Sequence, residues 1–246
     1  MEIKDVFGVG PVAEAGKRVV DFTCDQAAAF LSRICYPAAE EFGLLFRDNV
    51  KAWRAANARK IALKAERLHV AIPSASETHA LPRLVGQILE HGSWVESEEI
   101  QTMWAGLLAS SCTIDGKDDS NLMFIDLLSR LTVSQVRIID YACKTARIRK
   151  FRDGLLFPDT LICKPEDLKA VSLVDDLHRL DRELDHLISI GLLLFQRAGF
   201  DVHQPIVGLT PSPLALQMYA RCNGIAGDPS HYYAALGTLI TNEPAG

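Results

Sequence analysis

Four residues in the last third of the chain have the types and spacing to ligate a metal. His178 and Asp181 lie three apart and Asp181 and Asp185 four apart, so on a helix these three share a face, and His186 extends the row. A zinc site needs three or four such groups converging, with neighbours that orient them. Arg179 and Arg182 stand among them, and salt bridges account for the same residues, so no metal is expected. Gly8-Val9-Gly10-Pro11-Val12-Ala13-Glu14-Ala15-Gly16-Lys17 has the outline of a phosphate loop. Pro11 stands where the first Gly of that pattern is required, however, and Arg18 where Ser or Thr must follow the Lys. No G-x-S-x-G nucleophile elbow occurs. The chain is therefore read as non-enzymatic, with no catalytic residues and no cofactor.

Cations offer binding rather than catalysis. Residues 47–67 carry Arg47, Lys51, Arg54, Arg59, Lys60, Lys64 and Arg67 against Asp48 and Glu66, a local +5 that leaves −10 for the rest of a chain of formal charge −5. On a helix Arg47, Lys51 and Arg54 share one arc, and Lys60, Lys64 and Arg67 a second. With Trp53, these seven cations form the candidate partner-binding set. Such a ridge suits nucleic-acid phosphates, anionic lipid or an acidic protein. The alternative is a solvated face paired with the protein's own acids. A second cluster, Lys144, Arg147, Arg149, Lys150 and Arg152, closes a helix, where the dipole favours cations. With Phe151 beside it, residues 144–152 are a second candidate contact for nucleic acid or protein.

The elements that must position these groups are mostly helices. Residues 1–20 carry Gly8, Gly10, Pro11 and Gly16 and read as a lead-in. Ala27, Phe30, Leu31 and Ile34 give a helix from about Asp21 an apolar face that Pro37 interrupts. A long helix is expected from about Ala38 to Val70, on the stripe Phe42, Phe46, Val50, Trp53, Asn57 and Ile61, apolar except at Asn57. After the break at Pro73, Leu81, Leu84, Val85, Ile88 and Leu89 mark a helix ending near His91-Gly92. Ile100, Trp104, Leu107 and Leu108 mark one face of the next, with Glu98 and Glu99 in its first turn. Phe124, Leu127, Leu128 and Leu131 mark another. The spacing of Thr132 and Gln135 is that of a capping box, opening a helix to about Arg147.

Beyond it, Asp153-Gly154 and Phe157-Pro158-Asp159 read as turns, Pro165 opens a short helix, and Ser172 reads as the cap of the next. In that next helix Leu177, Leu180, Leu184, Leu187 and Ile188 form a stripe that stops at Gly191. Residues 192–195 and 205–209 read as two strands around a turn at 197–201, with Thr210-Pro211 opening a last helix. Helix, helix, β-hairpin, helix is the layout of a winged helix. The fold class expected is mainly α: a multi-helix N-terminal half with one long helix, and a C-terminal winged-helix-like module with a short β-hairpin. The divisions are 1–20 lead-in, 21–131 helical domain, 132–223 winged-helix-like module and 224–246 loosely docked tail. The reading helix of that module, Asp175 to His186, holds five acids against two arginines. Phosphate repulsion makes it a poor DNA reader, so protein contact or packing is the expected use.

The chain has 246 residues, 48% of them hydrophobic, with a mean hydropathy of +0.09, ample for a packed core. No window reaches the roughly 18 uninterrupted apolar residues that span a bilayer, which argues against an integral membrane protein. The N-terminus lacks the basic-then-apolar pattern of a secretory leader, and Cys24, Cys35, Cys112, Cys143, Cys163 and Cys222 are scattered with no CxxC pair. Reduced thiols in a cytoplasm are expected.

Three segments together resemble the bacterial abortive infection alpha family. They are Pro37 to Leu45 with Val50 to Asn57; Trp104-Ala105-Gly106-Leu107-Leu108-Ala109 with Phe124 to Leu131; and Leu187 to Leu193 with Leu209-Thr210-Pro211. Their order and spacing are similar to that family over roughly residues 10–222. Gly106 departs from it, the family often having Asn there, and Ser212-Pro213 stands where a Gly is common. The resemblance implies defence against phage, in which infected cells stop growing or die, and supplies no catalytic residues. The function expected is a phage-defence protein acting through protein contact or self-association. The alternatives are a nucleic-acid-binding regulator using the basic helix, and a membrane-active effector using the apolar face near Asp21 to Ile34.

Overall fold

The computed structural model describes residues 26, 29, 30, 33, 34, 52–70, 78–201 and 205–241. The fold is mostly helical, with a few small strands. Its centre is α3 (Glu98–Ser110), against which α1 (Ala52–Val70), α2 (Pro82–Gly92), α4 (Asn121–Ser129), α5 (Val133–Thr145) and α8 (Pro213–Cys222) all pack. Ser97 caps α3 by accepting from the Ile100 nitrogen, and Glu98 and Glu99 lie in its first turn. Every residue from Met103 to Ser110 is buried. The expected single face widens to the whole circumference because Ala105, Gly106 and Ala109 fill what would otherwise be the outer side.

Small residues set the spacing of the helices. Ala55, Ala58, Ala62 and Ala65 are buried along one side of α1 beside Ile61, so α1 lies close along α3. Gly106 carries the closest approach: a Cβ there would fall on the carbonyl of Cys222, and the Asn223 nitrogen would be 2.9 Å away. Asn121, at the start of α4, donates to the Leu107 carbonyl at 3.2 Å and the Ser111 hydroxyl at 2.9 Å. It thereby ties the start of α4 to the last turn of α3. One continuous cluster of buried apolar side chains runs from Phe30 and Ile61 through Trp104 and Leu128 to Leu184, Met218 and Tyr233.

Thr132 opens α5 with both halves of the capping box in place. After α5 come β1 (Ile148–Lys150), β2 (Leu156–Pro158), β3 (Ile162–Cys163), α6 (Pro165–Ser172), α7 (Leu177–Ser189), β4 (Leu193–Phe200), β5 (Val207–Pro211), α8, α9 (Ser230–Ala235) and β6 (Leu239–Thr241). The strands form two three-stranded sheets, ordered β2-β1-β6 and β3-β5-β4. On the stripe of α7, Leu180, Leu184 and Leu187 are buried, whereas Leu177 is exposed. Glu183 ties α7 to α5 by accepting from the Thr132 and Ser134 hydroxyls at 3.0 and 2.9 Å.

Several local expectations are corrected. Ser172 does not cap α7; it ends α6, its hydroxyl donating to the Leu168 carbonyl, and Asp176 is the cap, accepting from the His178 nitrogen. The helix expected to open at Pro211, α8, starts two residues later, and the further helix α9 follows it. Ser212 caps α8, Pro213 is its first residue, and Thr210 instead donates structure to the sheet, accepting from the Leu161 nitrogen. Thr210-Pro211-Ser212-Pro213 repeats the cap-proline signal, and pairing with β4 takes the first copy into β5. The turn expected at 197–201 is strand through Phe200, because Ala198, Gly199 and Phe200 all find partners on β5. Gly208 allows it: a Cβ there would stand 2.5 Å from the Arg197 carbonyl.

The turn expected at Phe157-Pro158 is strand β2, paired with β1. The tail from Gly224 is docked as far as 241. Tyr233 is fully buried and donates to the Leu216 carbonyl at 2.8 Å, and β6 runs parallel to β1. The lead-in, the stretch 38–51 of the expected long helix, Cys24 and Cys35 lie outside the described residues.

Candidate protein-interaction face

The face begins with a residue that interrupts an apolar stripe. Asn57 is buried between α1, α2 and α3, where its side-chain nitrogen donates to the Ser93 carbonyl at 3.1 Å and its oxygen accepts from Gln101 at 3.2 Å. Gln101 also donates to the Val95 carbonyl at 2.7 Å. These three buried hydrogen bonds tie the loop after α2 to α1 and α3, while the Gln101 Oε1 atom is buried without a partner. That loop carries Trp94 and Glu96.

Two tryptophans meet there in the open. Trp53 is 42% exposed and Trp94 57%, with ring centroids 6.2 Å apart and tilted by 57°. Each indole nitrogen donates to a carboxylate, Trp53 to Glu96 at 3.0 Å and Trp94 to Glu90 at 3.3 Å. The Arg54 guanidinium lies 4.1 Å from the Trp94 ring centroid, pairs with Glu90 at 2.7 Å and donates to the Ser93 hydroxyl at 3.0 Å. Arg54, foremost through its hydrogen bond to the carboxylate, holds the Glu90 carboxyl below its usual range. The result is two large apolar surfaces whose polar ends are satisfied and whose rotamers are braced.

The seven cations read from the sequence divide. Arg54 and Lys64 are engaged within the protein, Lys64 pairing with Glu98 at 2.6 Å and reaching the Thr102 hydroxyl at 3.1 Å. Arg59 is half-buried, and Lys60 and Arg67 are exposed. Arg47 and Lys51 lie outside the described residues. Trp53 sits at the edge of the stripe rather than in the core. Trp94 carries half of this face and was given no role by the sequence reading. Its signal is an indole in the short loop between two helices, Ser93-Trp94-Val95-Glu96-Ser97.

The second cluster is not one helix end. α5 stops at Thr145, so the dipole argument covers Lys144, while Arg149 and Lys150 belong to β1. Lys144 pairs with Asp140, Arg149 with Asp159 and Lys150 with Asp228.

Between α3, α5 and α8 lies a groove of about 960 Å³ whose charges are engaged with one another. Arg137 meets Glu99 at 2.8 Å, and the Tyr219 hydroxyl donates to Asp140 at 2.6 Å. Burial, with Asp140 adding to it, pushes that phenol far up from its ordinary value. Cys143 and Cys222 are likewise pushed up by burial, and Cys163 to about 11 for the same first cause, so these thiols stay protonated at neutral pH.

The possible metal row is not brought together. His178, Asp181 and Asp185 are exposed, and His186 Nδ1 faces the Gln135 amide nitrogen at 2.8 Å. Among the described residues no group of three or more His, Cys, Asp or Glu is arranged to hold a metal ion. The phosphate-loop outline at 8–17 lies outside them. No helix among the described residues is long and apolar enough to cross a membrane. Phe30 and Ile34, from the apolar face that a membrane-active reading would use, are 1% exposed and face the core.

Comparison with curated proteins and with solved structures finds no match. A sequence model of the abortive infection alpha family matches residues 54–205. The match takes in the Trp104-Ala105-Gly106-Leu107-Leu108 and Phe124 to Leu131 segments; Pro37 to Leu45 and Leu209-Thr210-Pro211 fall outside it. It begins at Arg54 in the face just described, runs through the central helix α3 and ends after β4, more than half of the chain: the protein belongs to the abortive infection alpha family.

Proposed function

We propose that this chain acts in abortive infection, the response in which phage-infected cells stop growing or die, by binding another protein through the Trp53–Trp94 face, without catalysis. The observation that carries the reading is the pair of exposed tryptophans held by Arg54, Glu90 and Glu96. Exposed aromatic rings beside an arginine are the composition of binding hot spots. Bracing lowers the side-chain entropy lost when a partner covers them. A second copy of the chain is the first partner to test. The burial of Cys143, Cys163 and Cys222 speaks against these thiols as nucleophiles.

The C-terminal half fits a winged-helix reading. α5, β3, α6, α7, β4 and β5 come in that order, with the β1–β2 hairpin between α5 and β3, and the sheet is ordered β3-β5-β4. The exposed residues of α7 and its cap include Asp175, Asp176, Asp181 and Asp185 with Arg179 and Arg182. That acidity supports protein contact or packing over duplex DNA reading for this module.

The test is the double variant Trp53→Ala, Trp94→Ala, assayed for plaque reduction on phage challenge, for solution mass and for co-purifying protein. The expected result is loss of protection and of the partner or dimer mass, with the melting temperature of the chain retained. Full protection by a folded double variant overturns the proposal. A second reading, phosphate binding along α1, rests on the exposed Lys60 and Arg67. A salt-sensitive gel shift abolished by Lys60→Glu, Arg67→Glu would sustain it.

A further inference from the structure

We infer that the groove between the β1–β2 hairpin and strand β4 binds single-stranded nucleic acid. This groove, of about 630 Å³, is lined by Phe151, Phe157, Phe195, Arg149, Arg197 and Asp159 among others. The three phenylalanines are 47%, 44% and 80% exposed. Phe151 and Phe157 stand edge to face at 5.4 Å, and Phe195 is presented by β4 across the groove.

Each side of the groove pairs a ring with a guanidinium. Arg149 lies directly opposite Phe157 in the antiparallel register, so the two share a face. Phe195 and Arg197 come from the irregular stretch of β4 between Leu193 and Ala198, where the pairing register shifts, and both line the groove. The one acid among the described lining residues is Asp159, and Arg149 takes both of its oxygens, at 2.7 and 3.1 Å. Arg149 foremost, then Arg147 and Arg197, hold that carboxyl below its usual range. Two guanidiniums thus line the groove against one carboxylate, on a chain whose formal charge is −5. The positive field is local to the groove.

Flat rings alternating with cations match a strand in which bases alternate with phosphates. A duplex keeps its base faces stacked inside and cannot offer them to Phe195. An acidic peptide meets the cations but leaves the ring faces without partners of their own kind.

The experiment uses the whole chain and fluorescein-labelled oligothymidylate and oligouridylate of about 12 nucleotides, followed by anisotropy, in keeping with the few nucleotides such surfaces engage. The wild type is expected to bind at low salt and to weaken steadily as salt is raised. Phe195→Ala, whose ring is already outside the core, is expected to weaken binding at least about fivefold, the loss of one stacked base. Arg197→Glu should weaken it further and flatten the salt dependence, and Met123→Ala, an exposed apolar residue elsewhere, should change nothing. Three results overturn the inference: no binding by the wild type at low salt, wild-type binding by both groove variants, or displacement by oligoglutamate or duplex at concentrations equal to unlabelled single strand. The readout needs neither partner nor phage, so its failure leaves the Trp53–Trp94 proposal standing, and the reverse holds.

Discussion

Gly106→Ala tests the contact by which α8 closes onto the central helix. The added Cβ would meet the carbonyl of Cys222 and come within 2.9 Å of the Asn223 nitrogen. These are backbone atoms, so no rotamer change relieves the crowding; the end of α8 has to move off α3. Extra methylenes in a packed interior cost about 1–3 kcal/mol, and a backbone obstacle puts this case at the upper end of that range. Helix propensity acts the other way, favouring Ala over Gly by about 1 kcal/mol. The net expectation is a loss of about 2 kcal/mol, the difference between the packing cost and the propensity gain. For a chain of this size that lowers the melting temperature by roughly 4–8 °C. Circular dichroism melts, with urea midpoints at unchanged slope, measure it. At an open helical position the same substitution would raise stability. A neutral or stabilised Gly106→Ala would therefore show that only propensity is felt, and that α8 does not sit on α3 as described.

Two further outcomes are expected. Glu183→Ala leaves the Thr132 and Ser134 hydroxyls without their acceptor between α5 and α7 and should cost about 1–3 kcal/mol. Glu183→Gln, which keeps an accepting oxygen, should cost less, and equal losses in urea titrations would contradict this. In acid, Glu99 is held at about 2, first by the Ser97 hydroxyl and then by Arg137, and Asp228 at about 2, first by Lys150 and then by the Ser230 nitrogen. Both sit below their unfolded values, so their contribution is complete above about pH 4.5 and is lost as pH falls toward 2. Both side chains are more than a third exposed, and solvent screening holds each contribution below about 1 kcal/mol. Glu99→Gln, Asp228→Asn should flatten the fall of melting temperature between those pH values; an unchanged profile would place the acid sensitivity elsewhere.

The sequence by itself determined helices α2 to α5 and α7, the Thr132 cap and the family. The Thr132–Gln135 box, the acidic first turn of α3 and the stripes of α2, α4 and α7 are local signals, written in residues no more than four apart. Chain direction and short-range sterics suffice to read them. Tertiary structure decided three things. It made strand of residues 197–200 and 156–158, because partners distant in the chain supply their hydrogen bonds. It held 224–241 in place by burying Tyr233 and pairing β6 with β1, against a composition of small residues and prolines that reads as loose.

It also chose which charged and aromatic residues remain exposed. Arg54 and Lys64 read as part of a cationic ridge until Glu90 and Glu98, more than thirty residues on, are seen to meet them. Trp94 and Phe195 gain meaning only when Trp53 and Phe157 arrive from elsewhere in the chain. The period of a helix or strand tells which residues share a face. Which faces meet depends on long-range packing and the entropy of closing the loops between them, and no spacing within one segment records that.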